Sequence, residues 1–137
     1  MNPGQAPRAI VVDASVAVEF LVGNETWVDQ WTSWVGTGAI LLAPEMFVLE
    51  VANALLRSRK LPAADAANRI VRLLDSGIEP SNRSFQAVLE GIHLAEQHRL
   101  SAYDAAYLQM ALEVEAEIAT VDRDLAAAAD REGLAVV

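Results

Sequence analysis

The stretch Arg8-Ala-Ile-Val-Val-Asp13 joins a run of aliphatic residues to an acid that follows it directly. A short apolar run rich in β-branched residues predicts a strand buried on both faces of a sheet, here over residues 8–12. Ser15 comes two residues after the acid and is typical of a helix N-cap, so we expect a helix over residues 15–22. The chain therefore begins with a strand, an acid and a helix, an order that favours an α/β fold.

The rest of the sequence repeats this alternation of short apolar runs and longer helical patterns. Further strands are predicted over residues 39–43, 78–79, 117–121 and 134–136. Further helices are predicted over residues 25–35, 44–60, 62–77, 82–99, 101–115 and 122–132, with Pro44 in the first turn of its helix. The alternation predicts one domain over residues 1–137, a three-layer α/β/α sandwich around a central, mainly parallel sheet of four to five strands.

Length and composition limit the class of protein. A chain of 137 residues with 53% hydrophobic and 21% charged residues is typical of one globular domain. Because the chain has no cysteine, disulfides, thiolate chemistry and Cys-based zinc sites are excluded. No apolar run approaches the roughly 18 residues of a membrane span, and residues 1–7 form a short polar leader unlike a secretory signal peptide. We therefore expect a cytoplasmic protein with no membrane-spanning segment.

The net charge of −9 argues at first against a nucleic-acid partner, since phosphate binding normally requires a basic surface. Five of the ten basic residues, however, lie between positions 57 and 72, where Asp65 is the only acid. They are Arg57, Arg59, Lys60, Arg69 and Arg72. This segment is either a local surface that contacts RNA or an ordinary solvated helical surface, and the sequence favours neither.

Four carboxylates are distinguished by their positions. Asp13 and Asp122 each follow a predicted strand, and the carboxyl ends of parallel strands form the edge of a sheet where ligands bind. Glu50 lies within an almost wholly apolar helix, where Asn53 shares its face, so we expect Glu50 to be buried. Asp104 begins another apolar helix. Helix capping could explain Asp13, Asp104 or Asp122, but Glu50 is in mid-helix and caps nothing.

Several buried carboxylates close together repel one another, and a lone buried carboxylate is normally protonated. A bound hard cation removes this conflict. A set of oxygen ligands without cysteine and without an evident histidine cluster suits Mg²⁺ or Mn²⁺. If the four acids converge, the sequence therefore predicts a divalent-metal site at the carboxyl edge of the sheet.

The segments around these acids resemble, in order and spacing, the motif series of PIN-domain ribonucleases of the VapC toxin family. They are Val11-Val-Asp13-Ala-Ser15-Val16, Glu50-Val-Ala-Asn53-Ala-Leu55, Leu100-Ser-Ala-Tyr-Asp104-Ala-Ala-Tyr107-Leu108 and Ala119-Thr120-Val-Asp122-Arg-Asp124-Leu125. The resemblance implies that Asp13, Glu50, Asp104 and Asp122 are the catalytic metal-site acids. It further implies that Ser15 and Thr120 orient them or touch the metal, that Asn53 and Tyr107 are neighbours, and that Asp124 shares or replaces the role of Asp122.

The same resemblance implies an activity and partners. The expected reaction is Mg²⁺- or Mn²⁺-dependent endonucleolytic hydrolysis of RNA that leaves a 5′-phosphate and a 3′-hydroxyl. The expected partners are the RNA substrate, a cognate antitoxin and a second copy of the chain in a homodimer. The alternative is a catalytically silent PIN-like module that only binds protein, and the four intact acids argue against it.

Trp27, Trp31 and Trp34 lie at positions i, i+4 and i+7 of one predicted helix and form an aromatic stripe. The stripe either packs into the core or lines a partly exposed groove that receives an antitoxin segment, because aromatic residues anchor such interfaces. Burial of the three rings distinguishes these alternatives.

Overall fold

The computed structural model describes residues 7–137, so the predicted polar leader lies outside the described residues except for Pro7. The strands are β1 (Ala9–Val12), β2 (Ile40–Pro44), β3 (Ile78–Ser81) and β4 (Glu117–Ala119). The helices are α1 (Ala14–Leu21), α2 (Glu25–Gly36), α3 (Phe47–Asn53), α4 (Ala63–Leu74), α5 (Phe85–His98), α6 (Ala102–Val114) and α7 (Arg123–Arg131). A π-helical turn, Ala54–Ser58, continues α3. Over residues 7–137, no helix combines the length and apolarity needed to cross a membrane.

The four strands form one sheet in the order β3-β2-β1-β4, and all three neighbouring pairs are parallel. Val11 of β1 lies opposite Leu42 on one side and Ile118 on the other. The predicted strand over residues 134–136 is reduced to a single parallel bridge between Val136 and Ile118. The prediction of a parallel sheet of four to five strands is confirmed.

Helices flank this sheet because the chain changes direction across it. From β1 to β3 the chain moves towards one edge, and β4 then joins the other edge. Since crossovers between parallel strands are right-handed, this reversal places the intervening helices on opposite faces. One layer contains α1, α2 and α4, and α6 packs on β1, β2 and β4 from the other. The predicted α/β sandwich is therefore confirmed.

The core confirms that β1 is buried on both faces, since Ile10, Val11 and Val12 are fully inaccessible. Trp31 and Trp34 are also buried, which favours core packing of the aromatic stripe over an exposed groove. Trp31 makes two further contacts within this core. The ring of Trp31 stacks on Phe20 with centroids 4.2 Å apart, and its Nε1 donates to the backbone oxygen of Ser76 at 3.2 Å. Trp27 is only half-buried at the edge of the core.

The helix predicted over residues 44–60 is wrong at both ends. Pro44 ends β2 instead of starting the helix, because the register with β3 continues to Ser81 and the amide of Glu45 donates to the Ser81 oxygen at 2.9 Å. The end of a strand tolerates a residue without an N–H group. After α3, the helix widens into the π-helical turn, and Lys60 adopts a φ of 55°.

The helix predicted over residues 82–99 begins three residues later, at Phe85. Ser84 is its N-cap, and the Ser84 Oγ accepts a hydrogen bond from the amide of Ala87 at 3.1 Å. β3 also extends to Ser81, two residues beyond the predicted strand. The local capping hydrogen bond therefore sets the boundary more strongly than the helical propensity of residues 82–84.

Candidate active site

The carboxyl ends of β1 and β4 adjoin at the point where the strand order reverses. Asp13 follows β1 directly, and its amide donates to the backbone oxygen of Ala119 at 2.9 Å, which continues the ladder by one residue. Thr120 follows β4 at the same level of the sheet. Open parallel sheets bind ligands in the crevice at such a switch point. The sequence placed Asp13 and Asp122 at this edge, and the structure agrees.

Two hydroxyl groups hold the carboxylate of Asp13, which is only 4% exposed. The Oγ of Ser15 and the Oγ1 of Thr120 each donate to Asp13 Oδ2 at 2.7 Å. Each hydroxyl also accepts a backbone hydrogen bond, Ser15 from Val121 at 3.2 Å and Thr120 from Asp122 at 2.9 Å. Because donor and acceptor capacities are both used, the hydroxyls fix the rotamer of Asp13.

Ser15 is not the N-cap of α1, contrary to the sequence-based expectation. The helix begins at Ala14, and Asp13 occupies the N-cap position without a side-chain capping hydrogen bond. The hydroxyl of Ser15 is instead directed to Asp13. The orienting role that the resemblance implied for Ser15 fits this contact.

Glu50 lies at the margin of the core-facing side of α3. Phe47, Val51 and Leu55, four residues apart, are fully buried and form the core-facing side. Leu49 is 75% exposed, and Glu50 is half-buried. The expectation that Glu50 is buried because its helix is apolar on nearly every side is therefore wrong, since only one face of α3 packs against the core.

Tyr107 of α6 holds Glu50. Its Oη donates to Glu50 Oε1 at 2.8 Å, and the Tyr107 side chain is completely buried. Burial raises the pKa of Tyr107 far above its usual value, and the charge of Glu50 raises it further. The phenol therefore stays protonated and acts as a fixed donor. Burial also raises the pKa of Glu50, while the charges of Asp13 and Asp104 add to the shift.

Asp104 and Asp122 complete the set from the starts of α6 and α7. Ser101 caps α6, and its Oγ accepts the amide of Asp104 at 3.0 Å. Burial raises the pKa of Asp104 to about 6, with further contributions from the charges of Asp13 and Asp122. Asp122 caps α7, and its Oδ1 accepts the amides of Asp124 and Leu125 at 2.9 and 3.1 Å. Capping therefore explains part of the position of Asp122.

The four acids act on one another electrostatically. Burial raises the pKa of Asp13, and the charge of Asp122 adds to it, while Glu50 and Asp104 both respond to Asp13. The structure therefore brings the four predicted acids to one edge of the sheet. Over residues 7–137, no three acidic or histidine side chains are close enough together to enclose a metal ion by themselves. Asp124 is exposed, and its charge makes only the smallest contribution to the pKa of Asp104.

The raised pKa of Asp104 predicts how pH changes stability. Its folded-state pKa of about 6 exceeds the ordinary value of 3.8, so the folded chain binds more protons between these values. The free energy of unfolding in chelator should therefore fall as pH rises from about 4 to about 6. Asp104→Asn should remove this effect and stabilise the metal-free chain at pH 7 by about 1 kcal/mol, a figure reduced for solvent screening.

Thermal melts of both proteins in chelator, at pH 5 and pH 7, measure this effect. The wild type should gain more in melting temperature on acidification than Asp104→Asn does. Asp130→Asn, an exposed aspartate of α7, is the matched control and should behave as the wild type. A less stable Asp104→Asn at pH 7 would show that Asp104 is a net stabilising residue of α6.

The predicted basic segment follows α3. Arg57 and Lys60 are exposed, and Arg59 Nη2 lies 2.6 Å from Glu19 Oε1. Arg69 instead donates to the backbone oxygen of Leu21, so it supports the packing of α4. Of the five basic residues, Arg69 therefore has a structural role, whereas Arg57, Arg59, Lys60 and Arg72 are exposed at the surface.

A cleft that the sequence-based interpretation missed opens beside Glu50. This acid-side cleft has a volume of about 460 Å³, and its lining includes Met46, Leu49, Glu50, Asn53, Ser58 and Tyr103. A larger apolar groove of about 710 Å³, between α3, α5 and α6, shares Met46, Leu49 and Tyr103 with it. The available signal that Tyr103 lies near the acids was its position directly before Asp104.

Comparison with known proteins gives a family and a fold. The family model described as PIN domain matches residues 10–131. The chain matches no curated protein sequence. A similar solved structure is PAE2754 from Pyrobaculum aerophilum, with 22% identity, a TM-score of 0.69, and coverage of 95% of this chain and 84% of that chain.

Two further structures have a TM-score of 0.70. Mycobacterium tuberculosis VapC20, described as a Sarcin-Ricin loop cleaving toxin, is 15% identical, with coverage of 87% of this chain and 94% of that chain. Rickettsia felis VapBC2, bound to a DNA fragment from its promoter, is 12% identical, with coverage of 94% of this chain and 97% of that chain. At these identities the likeness shows the fold.

Proposed function

This chain belongs to the PIN-domain family, and from that premise we propose that it is a Mg²⁺- or Mn²⁺-dependent endoribonuclease, the toxin of a type II toxin–antitoxin pair. The observation that supports this proposal best is the set of four acids at the switch point of the sheet, three of which have a raised pKa. Such a concentration of unneutralised carboxylates favours a bound cation. Similarity of fold to VapC20 and VapBC2 supports the toxin assignment.

The donor set fits a hard cation. Asp13, Glu50, Asp104 and Asp122 would hold the ion with carboxylate oxygens, the ligands that Mg²⁺ and Mn²⁺ prefer. Mg²⁺ usually keeps several water ligands and takes only one or two carboxylates directly, so it does not require three acids in mutual contact. Over residues 7–137 no three acids lie close enough together to hold an ion by themselves, so water would complete the coordination.

In the proposed reaction, a water oxygen bonds to phosphorus and the bond from phosphorus to the 3′-oxygen breaks, which leaves a 5′-phosphate and a 3′-hydroxyl. The cation, when bound, stabilises charge on the phosphate and lowers the pKa of water. Ser15 and Thr120 hold Asp13 in one rotamer, and Tyr107 positions Glu50. This fixed arrangement reduces the reorganisation needed to reach the transition state.

We propose that the exposed Arg57, Arg59 and Lys60 contact the RNA backbone. Arg57 lies in the π-helical turn, whose Ser58 lines the acid-side cleft, and Arg59 and Lys60 follow it. A few local cations next to an acidic site can bind phosphates even when the whole chain carries a net charge of −9. An RNA substrate also favours action in the cytoplasm.

Two protein partners are part of the proposal, a cognate antitoxin and a second copy of the chain. Trp31 and Trp34 are buried, so of the three tryptophans only Trp27 retains an exposed part that can contact the antitoxin.

For the second copy, α5 presents an exposed stripe at positions i, i+3, i+4 and i+7, formed by Phe85, Val88, Leu89 and Ile92. A two-fold axis would place this stripe opposite itself and bury it.

Replacement of Phe85, which is 91% exposed, by Glu should convert the dimer to a monomer, because it places a charge at one end of the stripe in place of its most exposed apolar side chain. Sedimentation of the full chain measures the change. Phe85→Leu, which keeps an apolar side chain, is the control and should remain a dimer. If the Glu variant and the wild type had equal masses, α5 would not form the dimer interface.

Cleavage of end-labelled RNA tests the enzymatic proposal directly. The purified chain should cut RNA in Mg²⁺ or Mn²⁺ and should stop in chelator. The product ends should be a 5′-phosphate and a 3′-hydroxyl, which mass spectrometry identifies. RNA that stays intact in both metals, with a chain that melts cooperatively, would favour the catalytically silent protein-binding module.

A further inference from the structure

We propose that the acid-side cleft binds an unpaired nucleobase of the RNA beside the scissile phosphate, and that the base stacks on Tyr103. The inference deepens the proposed function and rests on it, because the cleft is assigned to the substrate of the same four acids. Its basis is the joint placement of an exposed aromatic ring, an exposed amide and one of the acids in a single cleft.

The position of the cleft points to a nucleotide. Glu50, one of the four acids, is part of its lining, and Tyr103 immediately precedes Asp104, another of them. A nucleotide whose phosphate lies over the acids therefore has its base next to the cleft. The volume of about 460 Å³ lies within the range of small-molecule sites, roughly 300–1,000 Å³.

The lining of the cleft matches the chemistry of a base. A nucleobase has apolar faces and a polar edge, and the cleft combines apolar side chains, Met46, Leu49 and Tyr103, with polar ones, Asn53 and Ser58. Tyr103 is 60% exposed, so its ring is available for stacking. The exposed amide of Asn53 offers both a donor and an acceptor to the edge of the base.

Stacking on Tyr103 requires a base that is not held in a duplex. A base in a duplex is already stacked on both sides and paired at its edge, so it cannot enter the cleft without leaving the helix. A base in a loop, a bulge or a single strand is free to turn outward and stack on an aromatic side chain. A base of this kind can therefore reach the ring of Tyr103 without first leaving a helix.

Binding of a short single-stranded oligoribonucleotide with one 2-aminopurine tests the inference, since the fluorescence of this base is quenched on stacking. Binding is followed with Mg²⁺ present, within the first turnover. Tyr103→Ala should weaken the affinity by about 10- to 100-fold and abolish the quenching, because stacking on one aromatic residue contributes on this scale. Tyr103→Phe keeps the ring and should bind as the wild type does.

A second binding experiment uses an oligoribonucleotide that has an abasic nucleotide in place of 2-aminopurine. The abasic nucleotide should weaken binding to the wild type by at least the same factor and weaken binding to Tyr103→Ala by a smaller factor, because the stacking contact is already lost in that variant. Val71→Ala removes another exposed apolar side chain, on α4 and outside both clefts, and is the matched control.

The outcomes separate this inference from the proposed function. Cleavage by the wild type with equal binding by Tyr103→Ala would overturn the nucleobase site alone. Absence of all cleavage, with quenching that still depends on Tyr103, would overturn the nuclease proposal and keep the site. Unchanged RNA binding with an altered sedimentation mass of Tyr103→Ala would assign the cleft to contact between copies of the chain, and would also overturn the nucleobase site.

Discussion

Asp13→Asn is expected to lower RNA cleavage by a factor of about 10³ or more, because loss of charge stabilisation at a metal site amounts to several kcal/mol in the transition state. The substitution removes the negative charge and keeps the shape of the side chain. An amide oxygen can still accept the hydroxyl hydrogen bonds that Ser15 and Thr120 now donate to Oδ2. The fold should therefore remain intact while the activity disappears. Initial rates of cleavage at saturating Mn²⁺ measure the effect.

Asp29→Asn, an exposed aspartate of α2, is the control for loss of one negative charge and should cleave as the wild type does. Binding is checked separately from activity. Millimolar Mn²⁺ should raise the melting temperature of the wild type by mass action and that of Asp13→Asn much less. Wild-type cleavage by Asp13→Asn, or an equal thermal shift in both proteins, would show that Asp13 is a structural residue of the β1–α1 junction.

Trp31→Ala is expected to destabilise the chain by about 3–5 kcal/mol, the usual cost of truncating a large buried aromatic residue. Trp31 is 2% exposed, stacks on Phe20 and donates a hydrogen bond to the backbone of Ser76. All three interactions are lost together, and a cavity remains between α1 and α2. Denaturant unfolding followed by circular dichroism measures the change.

Trp27→Ala is the matched control for Trp31→Ala, because Trp27 lies one helical turn away and is only half-buried. It should destabilise the chain clearly less. If Trp31→Ala left stability unchanged and weakened antitoxin binding, the exposed-groove interpretation of the stripe would be correct and the observed burial would not describe the chain in solution. The two variants together therefore separate core packing from partner binding.

The sequence predicted the fold and the place of the acids because both depend on patterns that local physics dictates. Burial on both faces makes β1 a continuous aliphatic run, and alternation of strands with helices requires parallel pairing. An acid directly after such a strand must then lie at the carboxyl edge. Asp13 is the example, whereas Thr120 and Val121 separate Asp122 from the end of β4, which is two residues shorter than predicted. The convergence of the four acids was only assumed, since it depends on how α3 and α6 pack.

The sequence could not predict contacts between distant parts of the chain. The hydroxyl of Ser15 has two possible acceptors, a helix amide and the carboxylate of Asp13, and only the position of β4 favours the second. The hydrogen bond from Tyr107 to Glu50 joins residues 57 positions apart. Pro44 resembles a helix start locally, while its pairing with Ser81 makes it the end of a strand. In each example, a contact with a residue distant in sequence determined the local structure.

The hydrogen bond from Thr120 to Asp13 spans 107 positions of sequence and has a consequence for the order of events during synthesis. β1 is synthesised well before β4, so Thr120 is added to the chain only 107 positions after the acid that it helps to fix. Parallel pairing of strands this far apart in sequence is slow, because a long loop must close and lose conformational entropy before the strands make stabilising contacts. A nascent chain that still lacks β4 has Asp13 and the hydroxyl of Ser15, but not the second hydroxyl that orients the acid. The carboxylate of Asp13 therefore acquires its full set of hydroxyl donors only after β4 has paired with β1, so the site is completed in one of the last steps of folding.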